Sequence, residues 1–135
     1  MKEIAEKLKH QEEIMANEKG PFDLFALFLR EDAPEKWDLV VAADWIEKDK
    51  QAALKYIAGI LQKALSTEEL LNLSRIVFID KSNPALGAFQ KSIHVEHRIT
   101  EIKDSNFFGL QIKHVYLITS RKSNNTPNNA INTDS

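Results

Sequence analysis

Apolar positions recur along this chain with two different periods, and the switches between them mark its elements. Over residues 2–18, Ile4, Leu8 and Met15, with Ile14 beside it, follow steps near three, four and seven among Glu and Lys. That is the spacing of an amphipathic helix with a narrow apolar stripe. Asn17 and Gly20-Pro21 end it. So narrow a stripe predicts a helix on the surface of the core, or one packed against a second copy. Residues 22–30 and 37–46 then read as strands. Phe22, Leu24, Ala26 and Phe28 alternate with Phe25, Leu27 and Leu29, so both faces of the first are apolar and both should be covered. In the second, Trp37, Leu39, Val41, Ala43 and Trp45 share one face, and Asp38, Val40, Ala42, Asp44 and Ile46 the other. The link between them, with Pro34 suited to a type I turn, is too short for a parallel crossover and predicts an antiparallel hairpin.

The period returns to helical over residues 48–65, where Ala52, Leu54, Ile57, Ile60, Leu61 and Leu65 supply the stripe. Ala53, Ala58 and Gly59 read as small residues for close approach to a sheet. Ser66 and Glu69 have capping-box spacing and open a short helix through about residue 73. Residues 75–80 form a short buried strand ending in Asp80. Asn83-Pro84 places a cap before a proline at the first helical position, for a helix to about residue 91. Residues 93–103 and 107–120 look like strands around Asp104-Ser105-Asn106. In the later strand Leu110, Ile112, Tyr116 and Ile118 share a face with His114; in the earlier one, Val95 and Ile99 share a face with His97 and Glu101. Burying both apolar sets on one side requires paired residue numbers with an odd sum and a loop of even length. A Ser105-Asn106 loop pairs Ile99 with Ile112, Val95 with Tyr116, and His97 with His114.

These elements predict one α+β domain over residues 1–120, in the order helix-strand-strand-helix-strand-helix-strand-strand. Its sheet is mixed or mainly antiparallel, of about five strands, with helices packed on it. Residues 1–19 form the N-terminal amphipathic helix, and the polar residues 121–135 read as a flexible tail.

Composition narrows the chemistry. Eighteen basic and twenty acidic residues leave a net charge of −2 among 135 residues. That balance argues against sequence-independent binding of nucleic acid or anionic membrane, since both require concentrated positive charge. Zero cysteines exclude disulfides, thiolate metal sites and thiol catalysis. No apolar run has the length of a signal peptide or membrane span, which gives a cytoplasmic expectation. The four glycines, at 20, 59, 87 and 109, are too scattered to cradle a phosphate, and no nucleophile elbow is present.

Three groups of residues carry candidate chemistry. His97 and His114 on one face supply two ligands for a divalent metal, with Glu101 a third, or a titratable pair that loosens an interface on charging. The plainer reading makes each an ordinary half-buried or marginal histidine. Asp80 at a strand end, with Glu101 and Lys103 on a later strand, resembles in residue types the PD-(D/E)xK nuclease constellation. There, acids hold a magnesium ion and a lysine assists the attacking water. No Pro-Asp precedes Glu101, a helix separates the two strands, and no basic surface accompanies them. Trp37 and Trp45 bracket one strand face and, with Asp44 at the strand end, form a candidate ligand or partner surface, the alternative being core packing.

With catalytic motifs lacking, the leading expectation is a non-catalytic interaction or regulatory module with a protein partner or self-association, with no cofactor. The alternative is a metal-dependent hydrolase or nuclease-like enzyme using Asp80, Glu101 and Lys103. Asp80 and Glu101 can share an ion only if their carboxylates lie within about 8 Å.

Overall fold

The computed structural model describes residues 1–121, and within them the chain folds as α+β, with five helices and one five-stranded mixed sheet. In chain order these are α1 (Lys2–Lys19), β1 (Leu24–Arg30), β2 (Trp37–Ala42), α2 (Asp44–Lys48), α3 (Lys50–Ala64) and α4 (Thr67–Leu70). They are followed by β3 (Leu73–Phe78), α5 (Pro84–Ser92), β4 (Thr100–Phe107) and β5 (Leu110–Ser120). The spatial order is β3-β2-β1-β5-β4. β2 and β3 are parallel, joined through α2, α3 and α4, and the other neighbours are antiparallel. The tail expectation falls, from residue 122 onward, outside the described residues.

β1 lies at the centre and is buried on both faces, as its two apolar alternations require. Phe25 and Leu27 join Trp37, Leu39, Val41, Tyr116 and Ile118 in one core, which α1 and α3 cover with Leu8, Met15, Ile57 and Leu61. Leu24, Ala26 and Phe28 join Val40, Ala42, Val115 and Leu117 in a second core, capped by Leu86 and Phe89 of α5. The narrow stripe of α1 is therefore spent inside the chain's own core: Ala5, Leu8 and Met15 are fully buried. Of the large apolar residues of α1, Ile14 stays exposed, at 36%.

Local signals place several boundaries. Ser66 Oγ accepts from the Glu69 N–H while the Glu69 carboxylate accepts from the Ser66 N–H, a complete capping box. Asn83 Oδ1 accepts from the Ala85 N–H ahead of Pro84 at the start of α5. The second strand ends at Ala42 instead of running to residue 46. Asp44 opens α2, and Asp49, whose carboxylate accepts from the Ala52 N–H, caps α3. α2 starts without a side-chain cap, Asp44 lying in its first turn where a carboxylate suits the helix dipole; with the Asp49 cap that follows, this overrides the alternation that put Trp45 on a strand. In α3 the buried stripe is Ala53, Ile57 and Leu61, while Leu54 is 44% exposed.

The last hairpin keeps the expected parity and shifts the register. Phe107 pairs with Leu110, Glu101 with Tyr116 and Lys103 with His114. The turn is Phe108-Gly109, with φ of 55° and 75°, the both-positive pattern of a type I′ turn. Gly109 meets this cheaply, and the Phe108 ring packs against Phe89 and Phe28, which holds its backbone in a region costly for an aromatic residue. Asp104-Ser105-Asn106 lies inside β4. Residues 93–99, expected as strand, instead cross from the end of α5 to β4 with one isolated bridge, Val95 to Ser120.

A second irregularity decides which way the histidine points. Asp104 has φ of 50°, and the pairing of β5 with β1 shifts between Leu29 and Arg30. Ile112 consequently enters the second core with Val115 and Leu117, whereas His114 lies against Trp37 and Tyr116 of the first. In a regular strand residues 112 and 114 share a face; across this bulge they do not.

Candidate functional site

The sheet order separates the residues of the nuclease-like constellation. Asp80 follows β3 at one edge, and Glu101 and Lys103 stand on β4 at the other. Four strand spacings of about 4.8 Å put these edges roughly 19 Å apart. Asp80 accepts from the N–H and hydroxyl of Ser82, hydrogen bonds that hold its carboxyl below the ordinary aspartate range.

The two histidines also part company. His114 Nε2 lies 2.5 Å from Glu101 Oε2, and its ring centroid is 4.7 Å from that of Tyr116 and 5.3 Å from that of Trp37. His97 sits on the crossing before β4, with φ of 53° and Nδ1 2.6 Å from Glu12 Oε1. Each imidazole thus has its own carboxylate. No group of three or more His, Asp or Glu side chains among the described residues is arranged to hold a metal ion.

Trp37 is 8% exposed and belongs to the first core, stacked beside His114 and Tyr116. Trp45 lies on α2, donates from Nε1 to the Gly20 carbonyl at 2.9 Å, and meets the rings of Phe22 and Tyr56 edge-on. Asp44 pairs with the Lys81 ammonium. The three residues do not form one surface: Trp37 begins β2, and Trp45 and Asp44 lie beyond its far end.

Three buried charges were not picked out as sites from the sequence. Glu12 is 0% exposed; one carboxylate oxygen takes His97 and the other accepts from the Thr119 hydroxyl at 2.8 Å. Asp38, also buried, receives Arg30 Nε at 3.1 Å and Arg75 Nε at 3.3 Å on one oxygen. Asp23 lies where β1 begins, with Lys81 Nζ 3.3 Å from its Oδ2 as charge partner but no aligned hydrogen bond to that oxygen. Burial pushes the Asp23 carboxyl up, against the pull of Lys81. Burial lowers Lys81, yet the carboxylates of Asp44 and Asp23 outweigh it and leave the ammonium raised. One signal for Glu12 was available: residues 4, 8, 12 and 15 form a single helical stripe, and Glu12 is its only polar member.

A different feature stands at the open edge of β3. Between α3, α4 and that strand runs an apolar groove of about 270 Å³, floored by Leu39 and walled by Leu54, Leu61, Leu70, Leu73 and Ile76. Beside it Leu54 is 44% and Leu71 65% exposed. No described strand pairs with the outer edge of β3. No helix among the described residues is long and apolar enough to cross a membrane.

Compared with known protein families, curated proteins and solved structures, the chain matches none.

Proposed function

We propose that the protein is a non-catalytic interaction module that takes up another polypeptide strand along the outer edge of β3, its partner being a second copy of this chain. The observation that supports this reading is the contrast between the two sheet edges. β4 carries Glu101, Lys103 and Asp104 and kinks at Asp104, the devices that protect an edge from unwanted pairing. β3, with the sequence Leu-Ser-Arg-Ile-Val-Phe, has one charge, Arg75, and no residue at positive φ; its one irregularity against β2 lies between Leu73 and Arg75 and leaves Arg75 to Phe78 in regular pairing. Its backbone edge is a template for strand addition, and the adjoining groove offers apolar contact to alternate side chains of the added strand.

A two-fold antiparallel pairing of β3 with its copy continues the sheet through ten strands. It also brings both grooves and both sets of exposed leucines to one interface, the self-complementary geometry of an isologous dimer. Size-exclusion chromatography with light scattering from about 1 μM to about 100 μM, a range that brackets modest dimer affinities, tests it. The expected result is a concentration-dependent dimer that becomes monomeric in the Leu54→Glu, Leu71→Glu double variant. Both substitutions fall on exposed side chains and leave the core intact. Wild-type protein that remains monomeric throughout overturns the self-association.

A further inference from the structure

At the opposite side of the sheet, α1 and β4 enclose a groove of about 280 Å³ lined by Lys2, Glu6, Lys9, Arg98, Glu101 and Tyr116, with Ile99 between them. Three cations therefore converge on it. Of its two carboxylates, Glu101 is already engaged by His114. Lys9 has only an exposed helical partner, Glu13 at 3.5 Å, and neither Lys2 nor Arg98 has an ion-pair partner among the described residues. Like charges gathered without partners favour an anion that neutralises them.

Glu12 and His97 are not among the residues lining this groove, but each lies close in the chain to one that is. Lys9 precedes Glu12 by about one helical turn, and Arg98 directly follows His97. Glu12 is fully buried, yet the His97 side chain is 42% exposed. With one oxygen of Glu12 accepting from Thr119, the other takes the Nδ1 proton of His97. This fixes the ring and leaves Nε2 with no hydrogen-bond partner among the described residues. His97 also holds a left-handed backbone conformation, φ 53°, and such a cost in a non-glycine residue persists only where the surroundings enforce it.

We propose that the α1–β4 groove binds a phosphate monoester through Lys2, Lys9 and Arg98, with Nε2 of His97, oriented by Glu12, accepting a hydrogen bond from the phosphate's remaining hydroxyl. Guanidinium and ammonium groups around a small groove suit the three oxygens of a phosphate. Glu6, the carboxylate there without an ion-pair partner among the described residues, opposes the bound charge and limits affinity.

The test is NMR titration of the full chain at neutral pH with inorganic phosphate and, separately, methyl phosphate, following the ring resonances of all four histidines. The expected result is a saturable shift of His97 with either anion, while His10 and His94 stay in place. Lys9→Gln with Arg98→Gln, both on the surface, should weaken binding about tenfold or more without altering the circular dichroism spectrum, and Glu6→Gln should tighten it. His97→Gln should weaken it less than the double variant. A shift that never saturates, that moves His10 and His94 equally, or that persists in the double variant overturns the site. So does a Glu6→Gln variant that binds no better.

Discussion

Glu12 Oε1 on α1 and His97 Nδ1 on the crossing before β4 lie 2.6 Å apart although 85 residues separate them in the chain. The contact ties the first helix to the last hairpin. A carboxylate this deeply buried costs several kcal/mol unless its lone pairs are met. Here His97 and the Thr119 hydroxyl meet one on each oxygen. Glu12→Ala should therefore destabilise the fold by about 2–3 kcal/mol, since it leaves the Thr119 hydroxyl buried without its acceptor as well as emptying space in the core. His97→Ala should cost less than Glu12→Ala, because the Thr119 hydroxyl keeps its acceptor on the remaining carboxylate. Urea denaturation of both variants, at constant m, measures the difference.

The Asp23–Lys81 pair makes a second prediction with a definite sign. Asp23 is raised by burial, so between the ordinary aspartate range and its folded value the native state holds more protons than the unfolded one. Stability therefore falls as pH rises through that window. Lys81 limits the loss. Its raised ammonium contributes below the ordinary lysine range, and that contribution disappears as pH rises through its folded value. Lys81→Met should cost about 2–3 kcal/mol at pH 7, where Asp23 is left charged and buried, and little below about pH 4. Adding Asp23→Asn to Lys81→Met should recover most of the loss at pH 7. A double variant no more stable than Lys81→Met alone counts against this account of the pair.

Which of these features the sequence disclosed depended on how far apart the deciding residues lie. The capping box from Ser66 to Glu69 spans four residues, and Asn83-Pro84 two; their physics is local and their helices start where the pattern placed them. The two apolar alternations of β1 state its burial on both faces without reference to anything else. The alternation of the second strand runs on through residue 46 and so takes in Trp45, although Asp44 sits in the first turn of one helix and Asp49, just beyond, caps the next. The last hairpin shows a subtler limit. Parity follows from burying one face, and the observed pairs do have odd sums. The register depended on the turn, and Phe108-Gly109 is recognisable only if an aromatic residue is allowed a positive φ. That register sets His97 beside Thr119, five residues along from His114, and strand order parts Asp80 from Glu101; no local pattern contains either.

Tyrosine ionisation offers a spectroscopic prediction. The Tyr56 phenol donates to the Glu18 carboxylate, and burial, that hydrogen bond and the Glu18 charge push its pKa up to about 12. Tyr116 is also raised, by burial first and then by Glu101. Absorbance at the phenolate band should accordingly show less ionisation of the folded protein near pH 10 than of an unfolded chain, which is about half ionised there. Glu18→Gln should bring the Tyr56 transition down, though not to the ordinary tyrosine value, because burial remains. Since both folded phenols hold their protons more tightly than unfolded ones, stability should decline above about pH 10. An unchanged titration in Glu18→Gln assigns the shift to burial alone.

Two glycines with equally open surroundings should respond in opposite directions to alanine. A Cβ added at Gly59 or at Gly109 meets no atom within 4 Å, so neither substitution clashes. Gly59 lies inside α3, among helical dihedrals, and faces open space instead of the close sheet contact its size suggested. There a glycine only adds freedom to the unfolded chain, so Gly59→Ala should stabilise by about 0.5–1 kcal/mol. Gly109 has φ of 75° in the Phe108-Gly109 turn. Alanine can occupy that left-handed region only at a penalty of about 1–2 kcal/mol, so Gly109→Ala should destabilise despite the open space. The combined variant should fall close to the sum, because a site in α3 and one at the hairpin tip share no partners. Thermal or urea midpoints of the three proteins decide the matter. A neutral Gly109→Ala means the turn has relaxed out of its both-positive geometry, and the chemical shifts of Phe107 and Leu110 then reveal a changed pairing at the tip.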